Sequence, residues 1–137
     1  MTEFREFVVH HSGGPRHQTV RSIREYHMRP RSEGGKGFSD IGYHWIIDGN
    51  ARLHIGRRIP TQGAHAPPNH GRLGCLVVGN NLSPRSAWTT GQIAELRQLW
   101  DAVRYVMPWL ELKGHGEVMP PGYTQCPGLD IHALLCA

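Results

Sequence analysis

From Thr89 to Pro108 the chain spells one amphipathic helix, and a helix carrying so regular an apolar stripe has to bury it. Thr89-Thr90-Gly91-Gln92 has the spacing of a capping box, with a hydroxyl before the helix and a side-chain amide three residues later. Ile93, Leu96, Trp100, Val103 and Met107 then recur at helical spacing until Pro108 stops the run. A shorter helix is predicted from Thr19 as cap through Val20, Ile23 and His27, ending at Arg29-Pro30. The basic, glycine-rich stretch from Arg29 to Gly37 is too polar for a core; it is expected to overhang a cleft or face solvent.

What these helices cover is written in short β-forming runs. Phe7-Val8-Val9 is continuous and apolar, reads as a buried strand, and is closed by Ser12-Gly13-Gly14-Pro15. Leu110 to Gly114 is a second strand-like run. Tyr43–Ile47 and Arg52–Ile55 are joined by Asp48-Gly49-Asn50, a hairpin signal. The economical architecture is one α/β (α+β) domain over residues 1–137, a central mixed sheet flanked by helices. At 137 residues the chain can bury a core without a metal to hold it together.

Three residues stand where local sequence presents them as metal donors. His10 ends the first strand, His115 follows Leu110 to Gly114 and a glycine, and Cys126 lies in Thr124-Gln125-Cys126-Pro127-Gly128. The loop Met119-Pro120-Pro121-Gly122 can fold Cys126 back against His115, because paired prolines with glycine continue neither helix nor strand. Three protein donors leave a fourth place for water or substrate, as in catalytic zinc sites; structural sites close with four. Two imidazoles and a thiolate suit zinc best and also accept cobalt or nickel. Against this stands the commonplace role of histidine: the chain has ten, and any single one is more often a surface or core residue than a ligand. Spacing alone does not select the trio. Cys75, in Leu73-Gly74-Cys75-Leu76-Val77-Val78, reads as a small buried hydrophobe, and Cys136 has no partner pattern.

The order of several segments adds what spacing lacks. Phe7 to Ser12, Ile41-Gly42-Tyr43-His44-Trp45-Ile46-Ile47, Gly63-Ala64-His65-Ala66, Asn69 to Val78, His115 to Val118 and Thr124 to Gly128 occur in the order found in one family. Together they resemble the zinc-dependent N-acetylmuramoyl-L-alanine amidases, the family of small phage lysozymes with amidase activity and of peptidoglycan recognition proteins. The resemblance runs from about Phe7 to Leu134. It implies that fold, zinc held by His10, His115 and Cys126, and Tyr43 as a catalytic hydroxyl. Thr124 falls where related chains carry lysine or threonine and is implied as a second catalytic group. His44, His65 and Asn69 match positions that line or support the cleft, either touching the glycopeptide substrate or bonding the loops. His11, next to a ligand, is expected to point to the opposite sheet face. Glu117 is a candidate to orient a ligand imidazole, or equally a solvated carboxylate. A related branch, the cytoplasmic anhydro-muropeptide amidases, is less similar, since it carries aspartate where Cys126 stands.

The resemblance implies hydrolysis of the bond between N-acetylmuramic acid and L-alanine in peptidoglycan, as in an endolysin. Two alternatives stay open: a non-catalytic peptidoglycan-binding or regulatory protein, and a muropeptide-recycling amidase. The formal charge of +4 suits an anionic partner such as cell-wall polymer. Nucleic acid is not expected, because no basic helix or recognition motif is present and Tyr26 alone interleaves the arginines from Arg16 to Arg31. The N-terminal residues lack a signal-peptide pattern, and no segment is long and apolar enough for a transmembrane helix. A soluble monomer made in the host cytoplasm, reaching the wall through a separate membrane lesion, is the expectation. Some phage lysozymes of this kind also bind a polymerase, and the sequence leaves that partner open.

Overall fold

In the computed structural model, which describes residues 3–136, five strands form one mixed sheet. They are β1 (Glu6–His11), β2 (Trp45–Ile47), β3 (Leu53–Ile55), β4 (Arg72–Val77) and β5 (Glu111–Gly114). Their order is β3-β2-β4-β1-β5, with β1 parallel to both β4 and β5, β2 parallel to β4, and β3 antiparallel at the edge. Strands covered on both faces read as unbroken apolar runs, and Phe7, Val8 and Val9 in β1 are fully buried. The hairpin forms as expected over a shorter span. Tyr43 and His44 precede β2, although their carbonyls still accept from the Arg57 and Gly56 N–H groups.

Alternation along the strands sorts the core into two layers. Phe7 and Val9 of β1 and Leu73, Cys75 and Val77 of β4 face α2 (Thr90–Val106), meeting Leu96, Leu99, Trp100 and Val103. The opposite face of β4 turns Leu76 toward Val20 and Ile23 of α1 (Val20–Met28). His10 is in register with Leu76, so it faces the α1 side. Both predicted caps are present: Thr19 accepts from the Ser22 N–H, and Thr89 and Gln92 form the reciprocal box. The stretch after α1 contains a 3-10 turn at Arg31–Glu33.

The Arg31–Glu33 turn went unpredicted, as did two further elements. His115–Val118 is a 3-10 turn, so His115 opens a turn directly after β5 and does not sit on the strand as His10 does. A five-residue helix, α3 (Ile131–Leu135), is capped by Asp130 and buries Ile131 and Leu135 in the α2-side layer.

Gln92 ties this architecture together. Its side chain is completely buried; Nε2 donates to the Asp48 and Val78 carbonyls, at 3.0 and 2.7 Å, while Oε1 accepts from the Thr89 N–H. Gln92→Ala leaves the buried Val78 carbonyl without its side-chain donor, leaves the Asp48 carbonyl only the Ala51 N–H, and opens the cap. It is expected to destabilise the fold by about 2–4 kcal/mol in urea denaturation, and a loss below about 1 kcal/mol would show that water replaces the amide.

Candidate metal centre

At the carboxyl ends of β1 and β5, where open α/β sheets place their ligands, the donor atoms of His10, His115 and Cys126 lie within 4.8 Å of one another. The His10 and His115 ring centroids are 4.3 Å apart. Each donor is held by a different device. His10 is fixed by β1, and His115 by the turn that follows β5. Cys126 is fixed by its loop: its Sγ accepts from the His11 N–H at 3.3 Å, and its own N–H donates to Thr124 Oγ1 at 3.1 Å.

The three residues can hold a metal. His115 Nε2 is buried and has no hydrogen-bond partner, a situation that native structures generally avoid unless something else satisfies the atom. With their donor atoms within 4.8 Å of one another, the side chains need only close in slightly to reach Zn–N bonds of about 2.0–2.1 Å and a Zn–S bond of about 2.3 Å. Burial, then the neighbouring His65 and His115, hold His10 well below the ordinary imidazole range, and burial also lowers His115. Both are therefore neutral near pH 7, as ligands need to be. Burial pushes the Cys126 thiol up to about 12, partly countered by the His11 N–H.

A sign follows from that difference. Near pH 7 to 8 the histidines have no proton to lose and Cys126 has one, so metal uptake is expected to release one proton per ion. Apparent affinity should then rise about tenfold per pH unit across this range. Calorimetry in buffers of different ionisation heat checks it; a release near zero or near two would contradict the donor set.

A cavity of about 510 Å³ encloses the trio and brings in Tyr43, Thr124, His65 and Asn69. The Tyr43 ring lies 5.1 Å from that of His10, and burial followed by the Cys126 charge raises its phenol above the ordinary value. Its hydroxyl therefore stays protonated and able to donate. Thr124 accepts from the Cys126 N–H, which leaves its own O–H free to donate. A larger hollow, about 690 Å³ between Pro15–Arg21 and Asp48–Asn50, holds none of the donors.

The structure chooses between the alternatives left open for His44 and Glu117. His44 does not line the cavity: it is 1% exposed, its Nδ1 accepts from the Gly74 N–H at 3.0 Å, and its Nε2 donates to the Thr61 carbonyl at 2.7 Å. It braces backbone and offers substrate no atom. Glu117 does not meet a ligand imidazole; it accepts from the Gly114 N–H and pairs with His132. His11, in register with Val77, points to the α2 side as expected, its Nδ1 accepting from the Asn81 N–H, although it also borders the cavity at the strand end.

Lys36, Phe38, His27 and Tyr123 complete the cavity and were not foreseen. Only the overhanging character of the loop from Arg29 to Gly37 hinted at Lys36. His27 was read as the inner face of α1, which it is. Its Nδ1 accepts from the Gly42 N–H, and burial, with Lys36 and Arg57 nearby, lowers it to about 4.

A mixed α/β sheet that groups three potential metal donors at the carboxyl ends of its parallel strands defines a domain whose cavity could hold a metal ion. The chain belongs to the N-acetylmuramoyl-L-alanine amidase family, whose pattern it matches over residues 2–129. It is 32% identical over 116 residues to the endolysin of Escherichia phage T7, covering 82% of this chain and 71% of that protein. Peptidoglycan-recognition protein SC2 of Drosophila simulans is 32% identical over 135 residues, covering 90% and 68%. The chain spans 60% of the length of the Drosophila peptidoglycan-recognition protein SD, at 31% identity and 86% of its own length. Among solved structures it superposes on the Ph2119 endolysin of a Thermus scotoductus bacteriophage with TM-score 0.82 and 26% identity, covering 98% of this chain and 84% of that one. The amidase LysC from Clostridium intestinale gives 0.80 and 27%, covering 97% and 83%. No helix among the described residues is long and apolar enough to cross a membrane.

Proposed function

We propose that the chain is a zinc-dependent amidase that hydrolyses the bond between the lactyl group of N-acetylmuramic acid and L-alanine in peptidoglycan, serving a phage or prophage as an endolysin. The observation that carries this reading is the convergence of His10, His115 and Cys126 in one cavity with the Tyr43 and Thr124 hydroxyls. An amide needs a nucleophile stronger than water and a donor for its carbonyl oxygen. Zinc at these donors would lower the pKa of a bound water to about 7 and polarise the carbonyl. Tyr43, held as the neutral phenol, donates to the oxygen on which charge develops. Thr124, anchored by the Cys126 N–H, orients substrate or water through its free proton. Among the described residues no carboxylate lines the cavity and Lys36 is its one formal cation, an arrangement that suits an anionic peptide.

The T7 endolysin and the amidase LysC support the hydrolytic reading. The peptidoglycan-recognition relatives favour a second one, capture of muropeptide without cleavage. Digestion of purified peptidoglycan by metal-loaded and by chelator-treated protein separates them, with mass spectrometry for stem peptides that begin at a free L-alanine. Release by the metal-loaded protein alone is expected. Uncleaved glycopeptide in both reactions, with one metal bound per chain, would leave only the binding reading. Faster turnover of soluble anhydro-muropeptides than of intact sacculi would point to recycling in place of wall lysis.

A further inference from the structure

We infer that His65 is a positioning residue for this centre: it selects the His10 tautomer whose Nδ1 keeps its lone pair available to a metal. The inference rests on the metal reading given above and goes further, to how one donor is prepared.

The direction of two hydrogen bonds carries it. A carbonyl oxygen can only accept, and the Arg72 carbonyl lies 3.1 Å from His65 Nε2, so that nitrogen bears the proton. In a neutral imidazole the other nitrogen then has only a lone pair. His65 Nδ1 is 2.9 Å from His10 Nε2, so the proton between them belongs to His10 Nε2. What remains on His10 is Nδ1 with its pair of electrons, the condition a metal ligand has to meet. The chain of polarity runs from the backbone of β4 through two side chains to the donor atom.

The same two bonds remove His65 from the donor set. Both its nitrogens are committed, one donating and one accepting, so this third buried imidazole beside the trio has no lone pair to give. The centre stays at three donors, and the fourth place is kept for a reactant.

The surroundings hold the ring in that pose. A Cβ at Gly74 would stand 2.7–2.8 Å from three atoms of the His65 ring, and one at Gly63 would stand 2.6 Å from its Cδ2. Any side chain at either position displaces the imidazole. Asn69 Oδ1 accepts from the His65 and Ala66 N–H groups, both at 2.8 Å. Arg72 Nη1 donates to the Ala66 carbonyl at 2.8 Å, and its Nε reaches Glu6 on β1 at 2.9 Å. Asn69 and Arg72 thus serve the loop that bears His65.

Histidine nitrogen NMR on the wild-type protein, metal-free and then zinc-loaded, reads the tautomers directly. His10 and His65 are both expected as Nε2–H forms, with His10 Nδ1 changing on zinc addition. Chelator competition then measures zinc affinity in two variants. His65→Phe, which removes the acceptor, should weaken binding about 10–100-fold. His65→Asn, whose Oδ1 returns an acceptor where Nδ1 stood, should recover most of that loss. An Nδ1–H form of His10 in the metal-free protein, unchanged affinity in His65→Phe, or equal losses in both variants would each overturn the inference while leaving the metal reading intact. If His65→Phe does not fold, the wild-type tautomers and the His65→Asn affinity decide. A wild-type protein that takes up no zinc overturns the metal reading, and this inference with it.

Discussion

Cys126→Ala should weaken zinc binding by about 100-fold or more and reduce release of stem peptides to background, in a chain that still folds. Structural zinc sites gain roughly 10–16 kcal/mol from their ligands together, about 3 kcal/mol for each, and a thiolate carries a full charge to the ion. Cys126 also brings its loop to β1 through the His11 N–H. Losing that contact and a small buried volume costs about 1–2 kcal/mol, less than a domain of this size can tolerate. The measurement pairs chelator competition for zinc with the peptidoglycan digestion and a thermal melt. Wild-type zinc affinity in the variant would remove Cys126 from the donor set, and undiminished hydrolysis would remove metal from the reaction.

Tyr43→Phe is expected to divide the effects differently. Turnover should fall about 100-fold to 1000-fold, the loss typical of removing one donor to a developing oxyanion, with zinc affinity unchanged. The substitution keeps the ring that packs 5.1 Å from His10 and against the α1-side core. Only the hydroxyl leaves the cavity. Steady-state kinetics on a soluble muropeptide give the readout: kcat should carry the loss and KM should hardly move. A raised KM with unchanged kcat would instead place Tyr43 in substrate binding and return the oxyanion to other donors.

Legibility in the sequence followed the range of the interactions. The Thr89 and Gln92 box, the stripe from Ile93 to Met107 and the Asp48-Gly49-Asn50 turn are local, and each is found where its pattern puts it. The position of β1 between β4 and β5 is set by pairings across most of the chain, which no window of residues encodes. Ile131–Leu135 is too short to show a period, so α3 escaped notice although Asp130 caps it. In the site, the trio was legible through the order of segments shared with the amidase family, since spacing alone does not pick His10, His115 and Cys126 out of ten histidines and three cysteines. His44 and His65 looked alike as sequence. Their difference comes from which backbone carbonyl each ring meets, Thr61 or Arg72, and that depends on how the hairpin and β4 come together. Lys36 and Tyr123 enter the cavity from loops whose course only the folded sheet determines.

The residues of the trio also lie far apart in sequence, with 115 positions between His11 and the Cys126 thiol that its N–H holds. During synthesis, β1 and His10 leave the ribosome before β5, His115 and Cys126 and wait for them. A chain cut short before Cys126 carries the first donor and the whole of α2 yet cannot assemble the pocket. A product that ends before Cys126 therefore lacks the third of the three residues that could hold a metal ion.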